Sequence, residues 1–190
     1  MIVGGRLSDV PPSLICVGLD LLRPNVYWVR EIPDLLFALM PRPRGGEWLA
    51  QEVSGWHDAG IRTVVSLLEW DEAVELGLDS EEALCHAAGL HFISFPIPDR
   101  GVPGSDAGFA GLINSLVERL HAGEPVAVHC RAGIGRSGLV SACVLGALGV
   151  ATEPAFAMLS RARGVVVPDT EAQAEWVREF MRGRSGTTRR

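Results

Sequence analysis

The residues Val126-Ala127-Val128-His129-Cys130-Arg131-Ala132-Gly133-Ile134-Gly135-Arg136-Ser137-Gly138, followed by LVSACVLGALGV up to Val150, decide how the chain is read. Val126–His129 is apolar almost throughout, as in a strand buried on both faces. Residues 136–150 carry no charge after Arg136, which predicts a buried helix. Between them lies a short loop with glycines at 133 and 135, the residues that tolerate a tight turn. A buried strand that turns through a glycine loop into a buried helix is one unit of an α/β sheet.

The pattern repeats on both sides of this unit. Upstream, Leu35–Met40 (LLFALM), Thr63–Leu68 (TVVSLL) and Leu90–Ile97 (LHFISFPI) read as strands. Helices are predicted over Glu47–Ala59, Ser80–Ala88 and Asp106–His121, with apolar residues at helical spacing and glycine at several stops. Downstream, helices are predicted near Glu153–Arg163 and Thr170–Met181. Asn25–Ile32 alternates weakly and suggests an edge strand. The expectation is a single α/β domain over residues 25–182, with a mostly parallel central sheet flanked by helices. Residues 1–24 read as an N-terminal arm and 183–190 as a disordered tail. In such sheets ligands bind at the carboxyl ends of strands, beside helix N-termini.

Composition narrows the function. The chain has 190 residues and a formal net charge of −6. That balance argues against a nucleic-acid partner, which calls for a broad basic face. Bound anions therefore need a local positive site. All 17 basic residues are arginine, so no lysine is present to clamp a phosphate. The four cysteines are widely spaced and form no CxxC pair, which gives no sign of a zinc site or disulfide scaffold. No signal peptide or membrane span is evident, and a cytoplasmic location is expected.

The loop at 129–137 carries the chemistry. Backbone N–H groups turned inward at a helix N-terminus make an anion-binding nest. Arg136 can grip two anion oxygens as a fork. The same field favours a thiolate: a cysteine at a helix N-terminus beside arginine is acidified, into the range of about 3.5–7.5. One loop thus combines a nucleophile, Cys130, with a phosphate cradle built on Arg131, Ala132, Gly133, Ile134 and Gly135. A leaving oxygen also needs a proton. Asp99, in the Pro/Gly-rich segment Phe95-Pro-Ile-Pro-Asp-Arg-Gly-Val-Pro103, is the candidate donor, and Asp106 is the rival, though its position reads as a helix cap.

His129-Cys130 followed five residues later by Arg136-Ser137 resembles the HC-x5-R-S/T signature of the cysteine-dependent protein tyrosine and dual-specificity phosphatases. Pro98-Asp99-x-x-x-Pro103 resembles the acid loop of the dual-specificity branch, and Ile97 stands where the tyrosine-specific branch usually has Trp. The pattern is similar to a compact bacterial phosphatase of that branch. The resemblance implies that Cys130 attacks phosphorus and forms a cysteinyl-phosphate. It implies that Arg136 holds the phosphoryl oxygens, Asp99 protonates the leaving group, Ser137 steadies the departing thiolate and His129 orients the loop. It implies no cofactor and no metal, and a phosphorylated protein or peptide as substrate.

Thr170-x-x-Gln173 resembles the loop whose Gln orients the attacking water. It also satisfies a capping box, so both readings stand. Arg42 and Arg44 read either as residues of the site's mouth or as a solvated loop. Cys85 and Cys16 read as inert buried thiols or as partners that trap Cys130 in a disulfide; Cys143 reads as core. Inositol phosphates or RNA 5′-phosphates are alternative substrates. A phosphate-binding module without turnover is the alternative of another class, disfavoured because it needs neither thiolate nor acid.

Overall fold

A computed structural model describes residues 24–104 and 106–187. Its elements are β1 (Tyr27–Trp28), β2 (Phe37–Met40), a 3-10 turn (Gly46–Trp48), α1 (Leu49–Asp58), β3 (Thr63–Ser66), α2 (Trp70–Glu75), α3 (Glu81–Ala87), β4 (His91–Ser94), α4 (Asp106–His121), β5 (Val126–His129), α5 (Gly135–Ala147), α6 (Thr152–Arg163) and α7 (Glu171–Thr187). They form a single α/β domain around a five-stranded sheet in the order β1-β2-β5-β3-β4. Only the edge pair β1–β2 is antiparallel; β2–β5, β5–β3 and β3–β4 are parallel.

The three inner strands are buried at every position, as expected of a sheet covered on both faces. Period-two alternation splits each strand between two cores. Phe37, Leu39, Val65, Val126 and Val128 pack with residues of α4, α5, α6 and α7. Ala38, Met40, Val64 and Ala127 pack with α1 and α3 through Val53, Trp56 and Cys85. Burial of one such Val or Leu is worth roughly 1.5–3 kcal/mol, so the two cores hold the strand ends firmly in place.

The register decides where the site lies. Met40, His129 and Ser66 are level across β2, β5 and β3. Three connections therefore leave the same edge side by side: Pro41–Arg44, Cys130–Ile134 and Leu67–Glu69. Helix α5 runs back from that edge through the core, with Arg136–Leu145 buried without interruption.

Several boundaries differ from the sequence reading. The edge strand shrinks from Asn25–Ile32 to two residues. Residues 70–75, not read as an element, form the short helix α2. Helix α7 continues to Thr187, so residues 183–187 are helical where a disordered tail was expected; Arg184 there donates to Asn114 Oδ1 on α4 at 2.9 Å. The arm, Pro24 excepted, lies outside the described residues, as does Cys16. Among the described residues no helix is long and apolar enough to cross a membrane.

Candidate active site

The loop from Cys130 to Ile134 bends sharply at Gly133, whose φ is +69°. A Cβ there would lie 2.4 Å from Met40 O and 2.6 Å from Pro41 N, so the loop presses on backbone that cannot give way. Glycine is required both by the left-handed conformation and by that approach. Arg42 N–H donates to Arg131 O at 3.3 Å and ties the two connections together.

Cys130 is buried at the floor of a cleft of about 200 Å³. The cleft is lined by Asp99, Arg100, Cys130, Arg131, Ala132, Ile134, Gly135, Arg136, Asp169 and Gln173. The thiol lies 3.4 Å from Ser137 Oγ, itself fully buried in the first turn of α5.

Arg136 is 2% exposed and almost fully engaged. Its Nη1 and Nη2 donate to Glu72 Oε2 and Oε1 at 2.7 and 2.8 Å, a two-bond fork. Nη1 also donates to Ile97 O at 3.0 Å, and Nη2 to Asp99 Oδ1 at 3.0 Å. Its Nε–H has no hydrogen-bond partner among the described residues. The side-on pair, Nε–H with the outer Nη2–H, is thus the edge open to an incoming anion, and Asp99 holds half of it. Asp99 is mostly exposed, in the loop beyond β4.

Glu72 was not singled out in the sequence. It lies among Glu69, Asp71 and Glu75, and nothing local distinguishes it. The available signal is its position just past the end of a buried strand in a parallel sheet. The hydrogen bonds from Arg136 hold its carboxyl below the ordinary value despite burial, aided by the charges of Arg136 and Arg131. Because that folded-state pKa is depressed, the stabilisation is present above the ordinary 4.5 and fades as pH falls through the depressed value. Glu72→Gln is expected to cost about 2 kcal/mol at neutral pH, less than the roughly 3–5 of a fully stranded charge, since the amide still accepts one bond. Denaturant unfolding of both proteins from pH 7 downward checks this: the gap narrows once the pH drops below 4.5.

His129 is fully buried, with Nε2 3.0 Å from Glu81 Oε1 and its ring 6.1 Å from that of Trp56. Arg131 points across the cleft rim to Glu75 at 3.3 Å and Glu72 at 3.8 Å. Gln173 forms only half of a capping box. Its backbone N–H donates to Thr170 Oγ1 at 3.2 Å, the capping bond. Its side chain is free of the cap: Nε2 donates to Gly101 O in the Asp99 loop at 3.0 Å, and buried Oε1 has no partner among the described residues.

The remaining residues singled out in the sequence fall outside the cleft. Arg42 and Arg44 do not line the cleft but a neighbouring hollow with Pro41, Glu52 and Trp56, where Arg44 pairs with Glu52. Cys85 is buried in the opposite core from Cys130, and burial, with Glu81 and Glu82 nearby, pushes its thiol up to about 12. Cys143 is also buried and its thiol is raised by burial. Asp106 opens helix α4. Among the described residues no cluster of three or more His, Cys, Asp or Glu is placed to hold a metal.

A cysteine-bearing loop between a central parallel strand and a buried helix, with a buried arginine at its end, defines a class: the cysteine-loop phosphatase fold. Residues 38–149 match the model of the Tc-R-P family, described as "Polymorphic toxin system, DSP-PTPase phosphatase", and the chain belongs to that family. It is 31% identical over 129 residues to protein tyrosine phosphatase domain-containing protein 1 of Mus musculus, covering 64% of this chain. The chain spans only 17% to 40% of the length of the curated relatives it matches. Its fold is similar to kinase associated phosphatase carrying serine for its catalytic-site cysteine (TM-score 0.78, 21% identity, 86% of this chain and 97% of that one). It is similar also to PTPMT1 in complex with PI(5)P (TM-score 0.68, 20% identity, 86% and 98%).

Proposed function

We propose that this domain is a metal-independent phosphomonoesterase that hydrolyses phosphotyrosine in proteins, with phosphoserine and phosphothreonine as further substrates. The observation that carries the reading is the buried Cys130 thiol sharing one small cleft with Arg136, Asp99 and Gln173. The substrate phosphoryl group enters against the loop amides and takes the Nε/Nη2 edge of Arg136. Asp99 leaves Nη2 and turns its carboxylic acid toward the ester oxygen. Cys130 Sγ attacks phosphorus, the P–O bond breaks, and Asp99 gives its proton to the leaving oxygen. Water held by Gln173 Oε1 then attacks the cysteinyl-phosphate while Asp99 takes up a proton. The S–P bond breaks, and Ser137 Oγ donates to the departing thiolate. His129 braces the end of β5 against Glu81. The thiolate needs a reducing compartment, as the cytosol provides.

A single phosphoryl group per substrate is favoured over a polyphosphorylated headgroup. Arg131 is already paired with Glu75, and Arg100 lies 3.8 Å from Asp169, so the rim is no free polycation. A phosphopeptide panel assayed beside inositol phosphates tests this.

Asp99→Asn provides the mechanistic test. The loss is expected to be about 10²-fold or more on an alkyl phosphoester, within the usual span for general acid catalysis. It shrinks on an aryl ester with an electron-poor ring, which leaves as an anion unaided. The basic limb of the pH–rate profile flattens. Equal losses on both esters, or an unchanged basic limb, would remove Asp99 from the mechanism.

A further inference from the structure

We infer that Arg163, braced by Tyr27, is a positioning residue that aims the Gly133 and Ile134 amides into the phosphate cradle. The inference rests on reading the 130–136 loop as that cradle. Arg163 ends α6, thirty residues beyond the loop. Its Nε donates to Gly133 O at 2.9 Å and its Nη2 to Ala132 O at 2.8 Å. A carbonyl and the N–H of the next residue point in opposite directions across a trans peptide. Holding Ala132 O outward therefore turns Gly133 N–H the other way, and holding Gly133 O does the same for Ile134 N–H. Arg163 does not line the cleft, whereas Ala132, Ile134 and Gly135 do. The two amides thus face the side on which the anion sits.

Such a cradle opposes itself when empty, because converging N–H dipoles repel. A cation on the two outer carbonyls offsets that repulsion with charge-assisted bonds and keeps the loop ready before substrate arrives. The guanidinium is fixed in turn by Tyr27, whose ring lies 4.0 Å beneath it. Tyr27 is on β1, so the two-residue edge strand acquires a purpose: it carries the platform on which Arg163 rests.

The test measures tungstate binding by calorimetry in the Cys130→Ser protein, where turnover is absent. Arg163→Met is expected to weaken tungstate at least tenfold, the size of one or two lost charge-assisted bonds. Tyr27→Leu is expected to weaken it about threefold, while Tyr27→Phe, which keeps the ring face, leaves it unchanged. Arg163→Lys recovers part of the Arg163→Met loss. Thermal unfolding of each variant separates binding from folding, since a purely structural arginine would lower the midpoint without altering affinity in the folded protein. If Arg163→Met fails to fold, the contrast between Tyr27→Leu and Tyr27→Phe decides. Equal tungstate affinity in Arg163→Met, or in both Tyr27 variants, overturns the inference and leaves the proposed function standing. Failure of the parent protein to bind tungstate at all would remove the cradle and overturn both.

Discussion

Cys130→Ser is expected to abolish turnover, with a loss of about 10⁵-fold or more, comparable to removing the nucleophile of other covalent enzymes. The sulfur matters because a thiol gives up its proton far more readily than a serine hydroxyl and is the stronger nucleophile. Nothing in the cleft compensates. Ser137 Oγ lies 3.4 Å from the sulfur, and a serine hydroxyl is itself a weak nucleophile. The pocket itself survives the change, since an oxygen replaces a sulfur of slightly larger radius on a side chain that is 2% exposed. Oxyanion binding should therefore persist while rate disappears. Wild-type activity should also be indifferent to chelators; loss in EDTA that a divalent metal restores would contradict the mechanism.

Arg136→Lys is expected to cost about 10³–10⁵ in kcat/KM, the range found when an arginine that stabilises a transferring phosphoryl group is removed. In the proposed reaction Arg136 does two jobs at once. One edge of the guanidinium is spent on Glu72, and the side-on edge remains for the phosphoryl oxygens. A lysine ammonium is a point charge with three donors and cannot form both forks from one atom. It would stay with Glu72, whose carboxylate is already buried beside it. Steady-state kinetics check this, with phosphate inhibition as a second readout. A near-normal rate in Arg136→Lys would show that another group clamps the phosphoryl oxygens.

These two residues stand out in the sequence because their chemistry is local. Cys130, Gly133, Gly135, Arg136 and Ser137 fall within eight positions, on a loop whose strand and helix are announced by unbroken apolar runs. The inner strands are equally plain for the same reason. What the sequence conceals depends on long-range approach. Glu72 reaches Arg136 only because β3 and β5 end level, and it sits on a six-residue helix too short to show a period. Arg163 is one of 17 arginines, and only the fold reveals which of them meets the loop carbonyls. Glu81 belongs to an ordinary acidic helix start until its proximity to buried His129 is seen. The end of α7 misleads in the opposite direction. Gly183, Ser185 and Gly186 are weak helix formers, yet the helix continues, with Arg184 held to Asn114. Gln173 illustrates a reading left open by pattern alone: its backbone N–H takes the bond to Thr170 Oγ1, while its side chain lies in the cleft instead of reaching back to complete the capping box.

The central claim is a covalent phosphoryl group on Cys130, and trapping it tests that claim most directly. A radiolabelled phosphotyrosyl peptide is mixed with the Gln173→Ala protein, in which the second step should be slowed. The reaction is quenched in acid within its first turnover, and the labelled peptide is sequenced by mass spectrometry. The predicted result is one phosphoryl group per active site on the sulfur of Cys130, with no label on that peptide in a Cys130→Ser control. Full turnover with no trapped label on Cys130, or label carried by any other residue, would contradict it.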